Sequence, residues 1–182
     1  MKKILILVSA FVLVLGTVHA QEKLKTKNGS ITFEASVPSF EEVKATHENV
    51  SAVLNLSNGE FAALALVKGF RFKVALMEEH FNENYVESSI YPKSVFKGKI
   101  EGFNVDNLGS SPMDFTINGS ITLHGVTKDL SAPVQMYKDG AEVIFSTQFS
   151  LRPEDFDIKI PGVVSKKIAE EVDVIAKFNL QN

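Results

Sequence analysis

The sequence predicts an all-β protein, with eight antiparallel strands arranged as a sandwich or an up-and-down barrel and one or two short helices. Three observations point there. Apolar residues recur with period two along most of the chain, Gly-containing turn pairs separate the alternating runs, and only one stretch carries a clear helical period. Composition agrees: 182 residues, 45% hydrophobic and 23% charged, with six Pro and no Cys, suit one ordinary domain. They exclude collagen-like, disordered and disulfide-stapled chains.

At the N-terminus, Lys2 and Lys3 precede an apolar run over residues 4–15 broken only by Ser9, and Val18-His19-Ala20 follows. This reads as a cleaved secretory signal over residues 1–20. The run is well short of the roughly 20 apolar residues of a membrane span. The expected mature domain is 21–182, beginning at Gln21, exported to the periplasm or secreted, with no stable membrane anchor. Loss of Lys2 and Lys3 leaves 17 basic residues against 22 acidic ones, a charge of −5. That balance argues against nucleic acid as a partner.

Residues 23–37 are extended, with Asn28-Gly29 placed to bend or split the strand into two. Over 48–57, Val50, Ala52, Leu54 and Leu56 alternate with polar neighbours, a strand with one buried face. Asn58-Gly59 supplies a type I′ turn signal, and 60–72 returns with Ala62, Leu64 and Leu66 read as inward. Phe96, Gly98 and Ile100 mark a strand over 94–105, and Phe115, Ile117, Gly119, Ile121 and Leu123 mark one over 114–124. Strands over 130–138, with Ala132 and Val134 inward, and 141–151, with Phe145, Thr147 and Phe149 inward, flank the second hairpin pair, Asp139-Gly140. Residues 171–180 close the chain with Val172, Val174, Ala176, Phe178 and Leu180 inward.

The helix spans 73–82, where Val74, Met77 and Phe81 form a stripe opposite Lys73, Glu78, Glu79 and Asn82. Two turns are too few to stand alone, so the stripe is expected to dock on apolar surface such as a barrel opening and gate it, or else on the outer wall. A second short helix is expected over 165–171, capped by Ser165. Small side chains recur on the inward face, among them Ala52, Ala62, Gly98, Gly119, Ala132, Thr147 and Ala176. An eight-stranded barrel is just wide enough to be packed or to hold a small ligand. Two readings follow, an apolar cavity or a core filled by the Phe and Leu neighbours.

Chemistry-bearing motifs are sparse. His47, His80 and His124 lie on separate segments with no HExxH spacing, and the Glu78-Glu79-His80 run points its members about 100° apart on a helix. No Gly-x-Ser-x-Gly elbow, Gly-x-Gly-x-x-Gly turn or phosphate-binding loop occurs. No catalytic residue, metal or cofactor is therefore expected. The rival to a binding role is an enzyme that uses His80 with Glu79 or Glu83; a filled-core stress-response or interaction module is a third reading.

Three ordered segments resemble the YceI-like family. Residues 77–85 (Met-Glu-Glu-His-Phe-Asn-Glu-Asn-Tyr), with Tyr91-Pro92 and Phe96-Lys97-Gly98, are similar to its central signature; Leu123-His124-Gly125-Val126-Thr127-Lys128 to its second hallmark; Leu151-Arg152-Pro153-Glu154-Asp155-Phe156-Asp157-Ile158 to its third. The chain departs from many relatives where Met77 to Glu79 replace an Arg-Asp pair before the His. The resemblance implies an extended lipocalin-like, eight-stranded antiparallel up-and-down barrel. It also implies an exported, non-catalytic carrier for a long isoprenoid or similar amphiphilic lipid, with a homodimer left open. The expected lipid-lining set is Val50, Ala52, Leu54, Leu64, Leu66, Met77, Phe81, Phe96, Gly98, Ile100, Phe115, Ile117, Gly119, Ile121, Val134, Phe145, Phe149, Val174 and Phe178. Gly125 is read as serving a turn, His124 as structural or as a headgroup contact, and Arg152 and Asp155 as a local pair or cap or as polar contacts at the barrel mouth.

Overall fold

A strand with one apolar face must cover that face and pair both edges, and closing the sheet on itself does both. In the computed structural model, which describes residues 23–182, the strands close in this way. They are β1 (Lys23–Ser36), β2 (Lys44–Asn55), β3 (Glu60–Leu66), β4 (Arg71–Phe72), β5 (Lys93–Ile100), β6 (Met113–Leu123), β7 (Val126–Asp139), β8 (Glu142–Leu151) and β9 (Ile168–Leu180). The antiparallel order β1-β9-β8-β7-β6-β5-β3-β2 returns to β1 through a β1–β2 pairing. The result is the expected eight-stranded meander barrel, with β4 as an extra two-residue strand on β2. The signal sequence over 1–20 and the start at Gln21 lie outside the described residues.

Asn28-Gly29 does not split β1. The pairing with β2 instead shifts register between Thr26 and Ile31, a bulge that bends one continuous strand. Strand 60–72 is shorter than expected: β3 stops at Leu66, and a 3₁₀ turn over Val67–Gly69 leads to β4. The connection from Asn55 to Glu60 has only Gly59 at positive φ, so it is not a type I′ turn. That turn occurs elsewhere. Leu123 pairs with Val126 across His124 and Gly125, with φ of 50° and 75°. β7 therefore begins four residues before the expected start; the exposed Thr127, Lys128 and Asp129 hide it from an alternation argument. The expected second helix over 165–171 is replaced by a shorter helix at Gly162–Ser165, and Ile168 already belongs to β9.

The barrel is packed at one end and hollow at the other. At the packed end, where the chain termini of the domain and the β2–β3 and β7–β8 hairpins lie, Leu24, Leu54, Ile100, Leu108, Met136, Val143 and Leu180 are 5% exposed or less. Val50, Ala52 and Val134 belong to the same buried cluster, and Phe115 packs against it beside Phe103, ring centroids 6.5 Å apart.

Candidate functional site

The hollow end holds an apolar cavity of about 540 Å³, inside the range of roughly 300–1,000 Å³ usual for ligand sites. Its room comes from short side chains on several strands: Ala35 of β1, Ala63 and Ala65 of β3, Ala132 of β7, Thr147 of β8 and Ala176 of β9. Of the phenylalanines in the described residues, all but Phe103 and Phe115 line it. The phenylalanines surround the void instead of filling it. The few polar atoms are placed without conflict. Thr147 Oγ1 donates to the Pro133 carbonyl at 2.7 Å, leaving its methyl group as wall, while His80, Glu41, Arg152 and Lys167 line the outer part.

Among the expected lining residues, Met77, Phe81, Phe96, Ile117, Ile121, Phe145, Phe149, Val174 and Phe178 lie on the cavity wall. Val50, Ala52, Leu54, Ile100, Phe115 and Val134 do not, because period two identifies the inside of a barrel but not the depth along its axis. Leu64 and Leu66 turn outward, as does Ala62, and Leu66 is 52% exposed. Inside β3 are Phe61, Ala63 and Ala65; the strand is apolar on both faces, so larger Leu side chains suggested the wrong phase. Gly98 and Gly119 face each other across β5 and β6 but do not line the cavity. A Cβ on Gly119 would collide with the Lys97 carbonyl and lie 2.5 Å from Gly98 Cα. These glycines let two backbones approach closely; they do not widen the tunnel.

The helix covers the opening. Its α-helical part is Ala75–His80, continued by a π turn over Phe81–Tyr85, and Val74, Leu76, Met77, His80, Phe81 and Tyr85 all line the cavity. Docking on the outer wall is thereby excluded. Glu78 stitches it down: Oε1 meets Arg71 Nη1 at 2.9 Å and Oε2 accepts from the Phe72 amide at 3.1 Å. Below it Phe33, Phe70, Phe72 and Phe81 form an aromatic cluster with centroids 5.2–5.9 Å apart.

Three distant sequence segments meet beside this cover. His124 Nδ1 donates to the Phe156 carbonyl at 2.9 Å, Nε2 lies 2.9 Å from Glu87 Oε2, and the ring stands edge-on to Tyr91 at 4.5 Å. A Cβ on Gly125 would lie 2.6 Å from that Tyr91 ring, and its φ of 75° is a second reason for glycine there. His124 is thus an anchor that joins the β6–β7 turn, the segment after the helix and the 3₁₀ turn Pro153–Phe156. It is not on the cavity wall. Arg152 faces Glu154, Glu170 and Glu171 at 3.5–3.9 Å, a loose exposed cluster, and makes no ion pair with Asp155. Among the described residues, His80 makes no hydrogen bond or ion pair with Glu79 or Glu83, both of which are exposed.

The model of the YceI-like domain matches residues 23–180. The chain belongs to the YceI-like family. The three segments that resembled it are those that converge on His124 and on the cavity cover. Among solved structures, this YceI-like chain is similar to a polyisoprenoid binding domain from Saccharophagus degradans implicated in plant cell wall breakdown. The TM-score is 0.75 at 12% identity, with 87% of this chain and 97% of that one covered. Burkholderia cenocepacia BcnA gives 0.68 at 15% identity, covering 84% and 96%. The Campylobacter jejuni YceI protein gives 0.60 at 15%, covering 80% and 90%. No curated protein matches the sequence.

One buried titratable group lies apart from the cavity wall. His47 is 4% exposed, its Nδ1 accepts from the Asn49 amide at 3.1 Å, and its Nε2 is buried without a well-aligned partner. Burial pushes its pKa below the ordinary 6.5; the Leu66 carbonyl opposes this and Arg71 adds to it. Well above pH 6.5 the ring is neutral both folded and unfolded, so it contributes no pH dependence there. As pH falls through 6.5 the unfolded chain takes up a proton that the folded one resists, and stability drops. Melting temperature should therefore fall more steeply from neutral pH to about pH 5 in the wild type than in His47→Gln. Parallel slopes would remove His47 as the cause.

Proposed function

We propose that the protein is an exported, non-catalytic carrier that holds an isoprenoid-like or other amphiphilic lipid in its barrel, in the periplasm or outside the cell. The cavity carries the reading: it is mostly apolar, and its charged side chains, Glu41, Arg152 and Lys167, come from the segments that connect strands at its open end, the distribution that suits a molecule with a long hydrocarbon tail and a polar head. The Saccharophagus degradans domain with the same fold is described as polyisoprenoid-binding. A tail burying about 500 Å² would gain on the order of 12 kcal/mol at about 25 cal/mol per Å², before the costs of association.

Mass spectrometry of an organic extract of the purified protein tests this. Wild type is expected to yield a prenyl or acyl lipid, and Ala176→Phe, which places a ring from β9 into the cavity, to yield far less. Overpacking there costs roughly 1–3 kcal/mol, so a melting curve accompanies the extract. A folded wild type that yields no lipid sinks the proposal.

If the helix gates entry, Phe81→Ala should speed exchange of a fluorescent polyene lipid at least several-fold. The ring is only partly buried, and its loss should cost less than the roughly 3–5 kcal/mol of a fully buried Phe. Unchanged exchange in the folded variant would leave the helix as a static cover.

A further inference from the structure

We infer that the cavity mouth docks on the surface of an anionic lipid bilayer through residues 158–168, an inference that rests on the carrier reading above. In a chain with excess acid, this stretch holds three lysines, Lys159, Lys166 and Lys167, and no carboxylate, the nearest acids in sequence being Asp157 before it and Glu170 and Glu171 after it. None of the three lysines pairs with a carboxylate among the described residues. The stretch is built on the rim itself, since Ile158, Ile160, Val164 and Ile168 face into the cavity. Val163, next to Val164 on the helix Gly162–Ser165, points the other way and is 87% exposed.

An almost bare valine between lysines has no role in packing the barrel. Two further segments place apolar side chains on the same rim: Phe40 is 48% exposed and Leu76, on the covering helix, 57% exposed, and both border the cavity. Their neighbours Glu41, Glu42 and Glu79 are acidic, and Glu154, Asp155, Asp157, Glu170 and Glu171 flank the stretch at its base, three of them facing Arg152 at 3.5–3.9 Å, so the first contact with a negative surface falls to the tip of the segment, where the three lysines stand, and the other two side chains follow. Lysines near such a surface each contribute about a fivefold gain in affinity, and apolar side chains enter the boundary between headgroups and acyl chains. This orientation points the opening at the phase that holds the lipid, so a tail passes from bilayer to cavity without crossing water. The rim already stands at the open end of the barrel, so docking needs no rearrangement of the strands.

The chain has no Trp, so a single introduced one reports its own surroundings. Val163→Trp is expected to shift its emission to the blue on adding phosphatidylcholine vesicles that contain phosphatidylglycerol, and to shift little with phosphatidylcholine alone. Asp139→Trp, on the exposed β7–β8 hairpin at the packed end, should not respond. Changing Lys166 and Lys167 to Glu in the Val163→Trp background should weaken vesicle binding at least tenfold, and added salt should do the same. No shift at Val163→Trp, or equal shifts at both positions, overturns the inference. The extract separates this from the carrier reading: lipid recovered without a shift removes the docking alone, and a shift in a protein that holds no lipid removes the carrier reading alone.

Discussion

Replacing Gly119 by leucine is expected to unfold the protein or to destabilise it well beyond the roughly 1–3 kcal/mol of ordinary overpacking. From the strand alternation, such a change would only block the tunnel. The packing decides otherwise, because the first side-chain atom would meet the Lys97 carbonyl and Gly98 Cα across the β5–β6 ladder, and backbone cannot rotate aside as a side chain can. The paired Gly98 is held in the same way: its Cβ would lie 2.8 Å from the Asn118 carbonyl. Far-UV circular dichroism and a urea titration of Gly119→Ala and Gly119→Leu check this. A fully folded Gly119→Leu with unaltered midpoint would show that the two strands separate at little cost.

Phe145→Ala is expected to cost about 3–5 kcal/mol, a large part of the roughly 5–15 kcal/mol that holds a domain together. Phe145 is 1% exposed, stacks on Phe61 with centroids 4.2 Å apart and planes 5° from parallel, and meets Phe178 edge-on at 5.8 Å. The three rings form the floor where the packed end passes into the cavity, all three reaching its wall. The truncated floor would lengthen the cavity, so lipid retention should survive in whatever fraction stays folded. The urea midpoint should fall with the slope of the transition unchanged. A loss below about 1 kcal/mol, the range of small surface changes, would mean that Phe61 and Phe178 close over the gap.

The strand count, the up-and-down order and the family were legible in the chain because alternation, turn pairs and three motifs are local signals. So was the apolar stripe of the helix: Val74, Met77 and Phe81 border the cavity. The site was legible only in part. Where a strand alternates apolar with polar, as at Ile117 and Ile121 or Phe145 and Phe149, the inward phase is plain, and those residues are on the wall. Where both faces are apolar, as in β3, side-chain size favoured Leu64 and Leu66, whereas Ala63 and Ala65 are inside. Position along the axis leaves no trace in a two-residue period, so Leu54 and Ile100 read like Phe96 although they pack at the closed end.

The residues themselves determined that one apolar face would be enclosed by antiparallel strands and that a short helix would need a surface to rest on. Only the tertiary structure decided which end stays hollow. It did so by stacking Phe61, Phe145 and Phe178 as a floor, while Gly98 against Gly119 draws two strands together and Glu87, His124 and Phe156 join beside the mouth to hold the surrounding turns in place. Each of these is a contact between segments far apart in the chain, and its energy exists only once the barrel has closed.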